Sequence, residues 1–282
     1  MSNDQHNQTP QTLERATDGS ELSSTPLEMD AWTSSDLEIA LRGRQAVLVF
    51  PLGSVEPHGP HLPLATDRLL AEESSRRAVS ALRSQGIFAW LAPSLPYAVT
   101  EYAQGFCGAI SLSRPLYEQL LREISQQYLD AGFQLICWVN HHLEPEQLNA
   151  ITHASRALNG SEKRKKVVAP AVVSKRWGRA LGSEFRSGAC HAGEYEGSMV
   201  LATHPHWVKH EIAAQLPDLD ISLSQAIQEG KQGFLDAGMT QAYTGSPSTA
   251  TPAEGERLYL EHTNMIVTEV MEALIVEGLE EG

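Results

Sequence analysis

Metal-ligating side chains are crowded into one short segment of the sequence, residues 53–67. Two carboxylates and two imidazoles fall within twelve residues of it: Glu56, His58, His61 and Asp67. The glycines and prolines between them favour a turn over a helix. Carboxylate oxygen and imidazole nitrogen together suit zinc, manganese or iron. The segment therefore predicts a metal site, and the alternative is a polar loop whose histidines only bond the backbone.

A second candidate segment, residues 139–144, reads Val-Asn-His-His-Leu-Glu and begins at the end of an apolar run. In extended backbone, His142 and Glu144 project to the same side because successive side chains alternate. The alternative is a helix start with Asn140 as its cap and Glu144 in its first turn. The convergence of this segment with the first one would favour the metal site over either alternative.

The third segment, residues 187–198, places His191 and Glu196 among small residues. Small residues permit a close approach of the backbone, and this pair of side chains suits acid–base chemistry. Taken alone, the segment is a weak signal, since a histidine before a helix start is more often structural.

Short apolar runs alternate with helical patterns along the chain. The predicted strands are residues 46–50, 87–91, 135–139 and 167–173. The predicted helices are residues 66–84, with Asp67 as the N-cap, 114–131, 145–158 and 254–277. This alternation predicts an α/β fold whose mainly parallel sheet is covered on both faces. Ligands in such folds lie beyond the carboxyl ends of the strands, where the first two segments begin.

Composition sets the domain organisation and excludes several partners. Residues 1–28 are polar and predict a flexible tail, or an arm that orders on a neighbouring subunit, before a single domain at 29–282. The net charge of −14 argues against nucleic acid and anionic membranes as partners. Three scattered cysteines, and no apolar span or secretory signal, predict a cytoplasmic protein without disulfides.

All three segments resemble motifs of the creatininase family. The first resembles its Glu-x-His-Gly-x-His-Leu-Pro-x-x-x-Asp run, and the third its His-Ala-Gly-x-x-Glu-x-Ser run. The second resembles Asn-Gly-His-x-Glu, with His141 in place of glycine. A weaker similarity spans 106–112, where Cys107 and Ala109 replace Pro and Thr, and another spans Gly245 to Gly255. The resemblance covers residues 45 to 275, which is all but the tail.

This resemblance implies a creatininase-like, three-layer α/β/α sandwich with two divalent metal ions. The expected ions are Zn²⁺, with Mn²⁺ or Fe²⁺ as the alternative in one site. Glu56 and His142 would bind one ion, His58 and Glu144 the other, and Asp67 would bridge them. The implied activity is hydrolysis of C–N bonds in small cyclic or acyclic amides by a metal-activated water.

Three further residues take their expected roles from the same resemblance. His191 resembles the catalytic histidine, which would stabilise the intermediate or protonate the leaving nitrogen, and Glu144 is expected to share in catalysis. Glu196 is expected to support the ligands or to be an additional one. His61 is expected to orient the loop or the ligating carboxylates.

The positions that would enclose the substrate depart from creatininase proper. Ser187 and Gly188 stand where that enzyme has Trp and Asp, and Leu143 stands where it has an aromatic residue. The expected substrate is therefore a small cyclic amide or formamide other than creatinine. Four residues are candidates for binding an anionic group, with surface arginines as the alternative: Arg176, Trp177, Arg179 and Arg186.

Two other functions stay open at this stage. One is a peptidase-like enzyme that trims a modified peptide, and the other is a non-catalytic, metal-binding oligomeric scaffold. The family resemblance also implies a ring-like homo-oligomer, commonly a hexamer. Apolar residues near Trp207 and in the C-terminal helix agree with such an assembly.

Overall fold

A computed structural model describes residues 25–161 and 165–278 of the chain. Its strands are β1 (Ala46–Leu52), β2 (Phe88–Leu91), β3 (Leu135–Asn140) and β4 (Val167–Val168). They form one parallel sheet in the order β2-β1-β3-β4. The prediction of a fourth strand at 167–173 is wrong in length. Pro170 lacks an N–H group and restricts the residue before it, so pairing ends early.

The predicted helices are all present among those of the described chain. The helices are α1 (Ser34–Leu41), α2 (Thr66–Ser84), α3 (Arg114–Asp130), α4 (Pro145–Asn159), α5 (Ser183–Ser187), α6 (Glu194–Thr203), α7 (His210–Ala213), α8 (Leu223–Gln228) and α9 (Pro252–Gly278). The prediction of Asp67 as the N-cap of α2 is wrong, because Ala65 takes that position. The Asp67 carboxylate instead accepts a hydrogen bond from the Ser54 hydroxyl.

Alternating side chains of β1 divide the core into two halves. Val47 and Val49 pack with residues of α2, α6 and α9 on one face of the sheet. Leu48 and Phe50 pack with residues of α1, α3 and α4 on the other face. All of β1 is buried, as expected of a central parallel strand. The predicted three-layer α/β/α sandwich is therefore confirmed.

Residues 25–28, the end of the predicted tail, contact the domain. Residues 1–24 lie outside the described residues, but the last four residues of the predicted tail are bound to the domain. The backbone N–H of Leu91 donates to Leu27 O at 2.8 Å. The Arg83 guanidinium donates to Pro26 O at 3.0 Å, and Glu28 pairs with Arg76. Among the described residues, no helix combines the length and the apolar character needed to cross a membrane.

Candidate metal centre

The first two candidate segments meet at the carboxyl edge of the sheet. β1 and β3 are parallel neighbours, and Leu52 pairs with Asn140 where they end. Residues 53–67 and 141–144 therefore leave the sheet side by side. The side chains that they bring together are all buried: Glu56, His58, Asp67 and His142.

Asp67 lies between two imidazoles. Its Oδ1 is 3.3 Å from His58 Nε2, and its Oδ2 is 3.2 Å from His142 Nδ1. The Ser54 hydroxyl donates to Oδ2 at 2.7 Å, which fixes the orientation of the carboxylate. A carboxylate that presents one oxygen to each of two imidazoles has the geometry of a bridging ligand.

Glu196, which the sequence left as a support or an additional ligand, lies closer to His58 than expected. Its Oε2 is 3.5 Å from His58 Nε2. The carboxylate of Glu144 instead accepts hydrogen bonds from the backbone N–H groups of Glu101 and Tyr102. The geometry therefore favours Glu196 over Glu144 as the partner of His58.

Three sets of buried side chains in the described chain are each compact enough to hold one ion. These sets are Glu56 with Asp67 and His142, His58 with Asp67 and Glu196, and Glu56 with His58 and His191. The first two sets share Asp67 and together contain four of the five ligands expected from the sequence. Glu144 lies outside all three sets.

Backbone carbonyls fix the protonation of three imidazoles. The contacts join His58 Nδ1 to Glu56 O at 3.0 Å, His142 Nε2 to Val99 O at 2.7 Å, and His191 Nε2 to Pro57 O at 3.0 Å. A carbonyl only accepts, so each of these nitrogens carries the proton. The other nitrogen of each ring faces the carboxylates, and it is the nitrogen that would lose its proton to coordinate a metal ion.

The electrostatics of the site fit divalent cations. His58 Nε2 and Glu56 Oε2 are buried, and neither has a hydrogen-bond partner in the described chain. Burial lowers the pKa of His58, but the carboxylates of Asp67 and Glu196 outweigh it and raise that pKa to about 10. Burial also raises the pKa of Glu196 to about 8, against the attraction of His58. Crowded carboxylates beside imidazole nitrogens are a donor set for zinc or manganese.

His191 stacks over this donor set. Its ring lies 4.4 Å from the ring of His58, and its Nδ1 is 3.9 Å from Glu56 Oε1. The ring of Phe234 covers it at 4.4 Å, a contact that the sequence did not suggest. Burial and the neighbouring His58 hold the pKa of His191 well below its usual range. The imidazole is therefore neutral, and its Nδ1 carries the lone pair.

The cavity over the donor set is small and opens into a groove. The cavity measures about 30 Å³, enough for roughly two water molecules, and Leu143 and Glu144 form part of its wall. Arg186 and Gly188 line the adjoining groove. Ser187 lines neither space, because its hydroxyl turns away and donates to Glu184 O. The structure therefore places Ser187 outside the walls of both the cavity and the groove.

Glu184 positions the third segment, and no pattern in the sequence predicts this role. Its carboxylate accepts hydrogen bonds from the backbone N–H groups of Glu194 and Tyr195 at 2.9 Å. It accepts a third from the backbone N–H of Ser246 at 2.7 Å. These bonds satisfy the N-terminus of α6, which carries Glu196. Burial raises the pKa of Glu184 against these bonds.

His61 is buried beside the loop. Its ring meets Tyr243 edge-on at 6.3 Å. Neither ring nitrogen has a hydrogen-bond partner in the part of the chain that the structure describes. Burial, together with the nearby His58, lowers the pKa of His61 to about 4.

The fold and the site define an α/β/α protein with a buried, metal-capable donor set at the carboxyl edge of its sheet. The chain belongs to the creatininase family: the family model described as creatinine amidohydrolase matches residues 30–270. It is accordingly a hydrolase of that family.

Curated relatives and solved structures agree on the family. The mycofactocin precursor peptide peptidase of Mycobacterium tuberculosis H37Rv is 30% identical over 245 residues, covering 82% of this chain and 86% of that protein. The protein of the same name in Mycolicibacterium smegmatis is 28% identical over 223 residues, covering 77% and 81%. A structure described as "Creatininase Mn" matches with a TM-score of 0.67 at 19% identity, covering 88% of this chain and 98% of that one. Another, of creatinine amidohydrolase, matches with the same TM-score and coverage at 20% identity.

Proposed function

We propose that the protein is a metal-dependent hydrolase that cleaves an amide bond in a peptide. The observation that carries the proposal is the shared position of Asp67 between two complete ligand sets. Glu56, Asp67 and His142 would hold one ion, and the second would be held by His58, Asp67 and Glu196. Two divalent ions, when bound, supply an acidified water and polarise the amide carbonyl.

His191 and Glu144 supply the proton chemistry in this proposal. The neutral His191 has its Nδ1 free to accept a proton and to return it to the leaving nitrogen. The Glu144 carboxylate forms part of the cavity wall, and two backbone N–H groups hold it in place. It is thereby positioned to contact the substrate, which we favour over its earlier assignment as a ligand.

Two observations favour a peptide as the substrate. The curated relatives at 28–30% identity are named peptide peptidases. The cavity itself admits only water-sized groups, so the bulk of a substrate must lie in the adjoining groove of about 670 Å³. The non-catalytic scaffold is disfavoured because both ligand sets and His191 are present.

A small cyclic amide or formamide is the second candidate. It is supported by the solved relatives, which are named creatininases. Creatinine itself stays disfavoured. The half-buried, aliphatic Leu143 forms part of the cavity wall where creatininase proper has an aromatic residue.

Metal analysis and a substrate panel test the proposal together. The purified chain would be loaded with Zn²⁺ or Mn²⁺ and given short peptides, N-formyl compounds, lactams, hydantoins and creatinine. We expect peptide hydrolysis that chelation abolishes and added metal restores. His142→Ala should lose metal and activity, whereas His206→Ala, at an exposed position, should lose neither. Undiminished activity in the metal-free protein would refute the proposal.

The same proposal includes a cytoplasmic homo-oligomer, with a hexamer as the expected state. Large apolar side chains are exposed at Trp207 (49%) and, on α9, at Leu260 (58%) and Ile275 (58%). Contacts between subunits would remove such surface from water. Light scattering should return a multiple of the 30.8 kDa chain mass, and a monomer at micromolar concentration would contradict this part.

A further inference from the structure

A groove extends directly from the cavity over the candidate metal centre. The two spaces share five wall residues: Leu143, Pro145, Cys190, Leu223 and Ile227. The groove's volume of about 670 Å³ falls within the range of roughly 300–1,000 Å³ that is usual for ligand sites. A substrate that reaches the metal centre with one amide bond can therefore lay its flanking part in this groove.

The charge of the groove is opposite to that of the protein. Its walls include the cations Lys175, Arg179 and Arg186, and the described residues that line it include no Asp or Glu. The whole chain has 35 acidic residues against 21 Lys and Arg. A cationic groove on an acidic protein attracts an anionic group and selects against cationic ones.

Among the described residues, the two arginines of the groove lack the carboxylate partners that several other arginines of the molecule have. Arg114, Arg176 and Arg257 each pair with a carboxylate of the same chain. In the described chain, the groove guanidiniums have no such ion pair, and Arg186 donates one N–H to Arg179 O at 3.0 Å. That bond orients Arg186 and leaves its other donors free. A guanidinium fork matches a carboxylate with two parallel hydrogen bonds.

We propose that this groove binds a carboxylate of the peptide substrate through Arg179 and Arg186, with Lys175 adding to the positive field. The inference rests on the proposed peptide hydrolysis and adds a preference to it. The substrate is a peptide with an anionic group beside the cleaved bond, and apolar residues such as Val173 and Phe185 contact its uncharged part. The carboxylate comes either from the C-terminus or from an acidic side chain.

Fluorescence anisotropy on the metal-loaded, full-length protein tests the inference. The probes are three octapeptides of Ala, Leu, Val and Gly that carry an uncharged BODIPY dye: a C-terminal acid, its C-terminal amide, and the amide with one internal Asp. We expect the acid or the Asp peptide to bind about fivefold to tenfold more tightly than the neutral amide. Whichever of these two binds better identifies the source of the carboxylate. Raising the salt concentration should weaken only that binding.

Paired variants assign the preference to the groove. The double variant Arg179→Gln, Arg186→Gln should lose the preference, and Arg122→Gln, at an exposed position on α3, should keep it. Should the double variant fail to fold, each single variant should lose about half of the preference on a logarithmic scale. Equal binding of all three peptides by the wild type would overturn the inference, and so would a preference that survives in the double variant.

The two proposals fail in different ways. Mass spectrometry of the same samples reports cleavage independently of binding. Cleavage without a preference for the anionic peptides would overturn the groove's role and leave the hydrolase intact. Selective binding by the groove without cleavage of any peptide would contradict peptide hydrolysis instead.

Discussion

Gly255 sets the distance between α6 and α9, and the Gly255→Ala variant tests how strongly the candidate site depends on that contact. A Cβ at this position would lie 2.0 Å from Ser198 O and 2.9 Å from the Cβ of Ala202. Ordinary contacts begin at 3.4 Å, so the Ser198 carbonyl would have to retreat by about 1.4 Å. The obstacle is backbone, which has no rotamer into which it can escape. The two helices would therefore have to separate.

Two opposing effects decide the size of the change. Alanine is a better helix former than glycine by about 1 kcal/mol. Overpacking a filled contact costs about 1–3 kcal/mol or more, and a clash with backbone falls at the upper end of that range. We expect a net loss of about 1–2 kcal/mol in the free energy of unfolding. Because α6 also carries Glu196, its displacement should weaken metal binding about tenfold or more.

Urea unfolding and a Zn²⁺ titration measure the two consequences. With an m value of about 3 kcal/mol/M, the unfolding midpoint should fall by about 0.5 M. The exposed Asn264→Ala variant, also on α9, should stay within about 0.5 kcal/mol of the wild type. A Gly255→Ala protein more stable than the wild type, with normal Zn²⁺ affinity, would show that helix propensity wins and that the contact is not tight.

Three further substitutions probe the site itself. Asp67→Asn should remove both ions because one carboxylate serves each set, and elemental analysis that finds full metal content would exclude the bridge. His191→Ala should lower kcat by about 10²–10⁴-fold with metal content intact, and unchanged turnover would refute its role as an acid–base group. The pKa of His61, lowered to about 4 by burial and by nearby His58, means that only the unfolded chain binds its proton between about pH 6.5 and 4. The free energy of unfolding should therefore decrease as pH falls through that window, and His61 should account for up to ~3 kcal/mol of the decrease. In urea titrations at several pH values, the His61→Gln variant should show a smaller decrease than the wild type.

The sequence predicted the convergence of the first two segments because that depends only on topology. Parallel neighbouring strands end at one edge, and the apolar runs at 46–50 and 135–139 were sufficient to predict both strands. The third segment was harder to place. Its position depends on the Glu184 carboxylate at the start of α6 and on the contact of Gly255 with Ser198. Neither interaction leaves a periodic pattern in the sequence.

The preference for Glu196 over Glu144 beside His58 shows a second limit of prediction from the sequence. Both glutamates lie near the site, and sequence spacing gives them similar reach. Backbone N–H groups of residues 101 and 102 favour Glu196, because they bind the Glu144 carboxylate from a distant loop. The wrong cap at Asp67 has a similar cause, since the Ser54 hydroxyl, 13 residues away, competes for that carboxylate. Helix and capping propensities depend on neighbouring residues, so they cannot predict hydrogen-bond partners that are distant in the sequence.

The backbone carbonyls that bind the three imidazoles bear on how this site tolerates mutation. The oxygens of Glu56, Pro57 and Val99 are present whatever side chain their residues carry. Where a side-chain carboxylate fixes a ligand histidine, a single substitution removes its orientation. Here a replacement such as Val99→Ile leaves the oxygen in place. Residues around the substrate can therefore change during evolution while the backbone carbonyls keep each imidazole oriented toward the candidate metal centre.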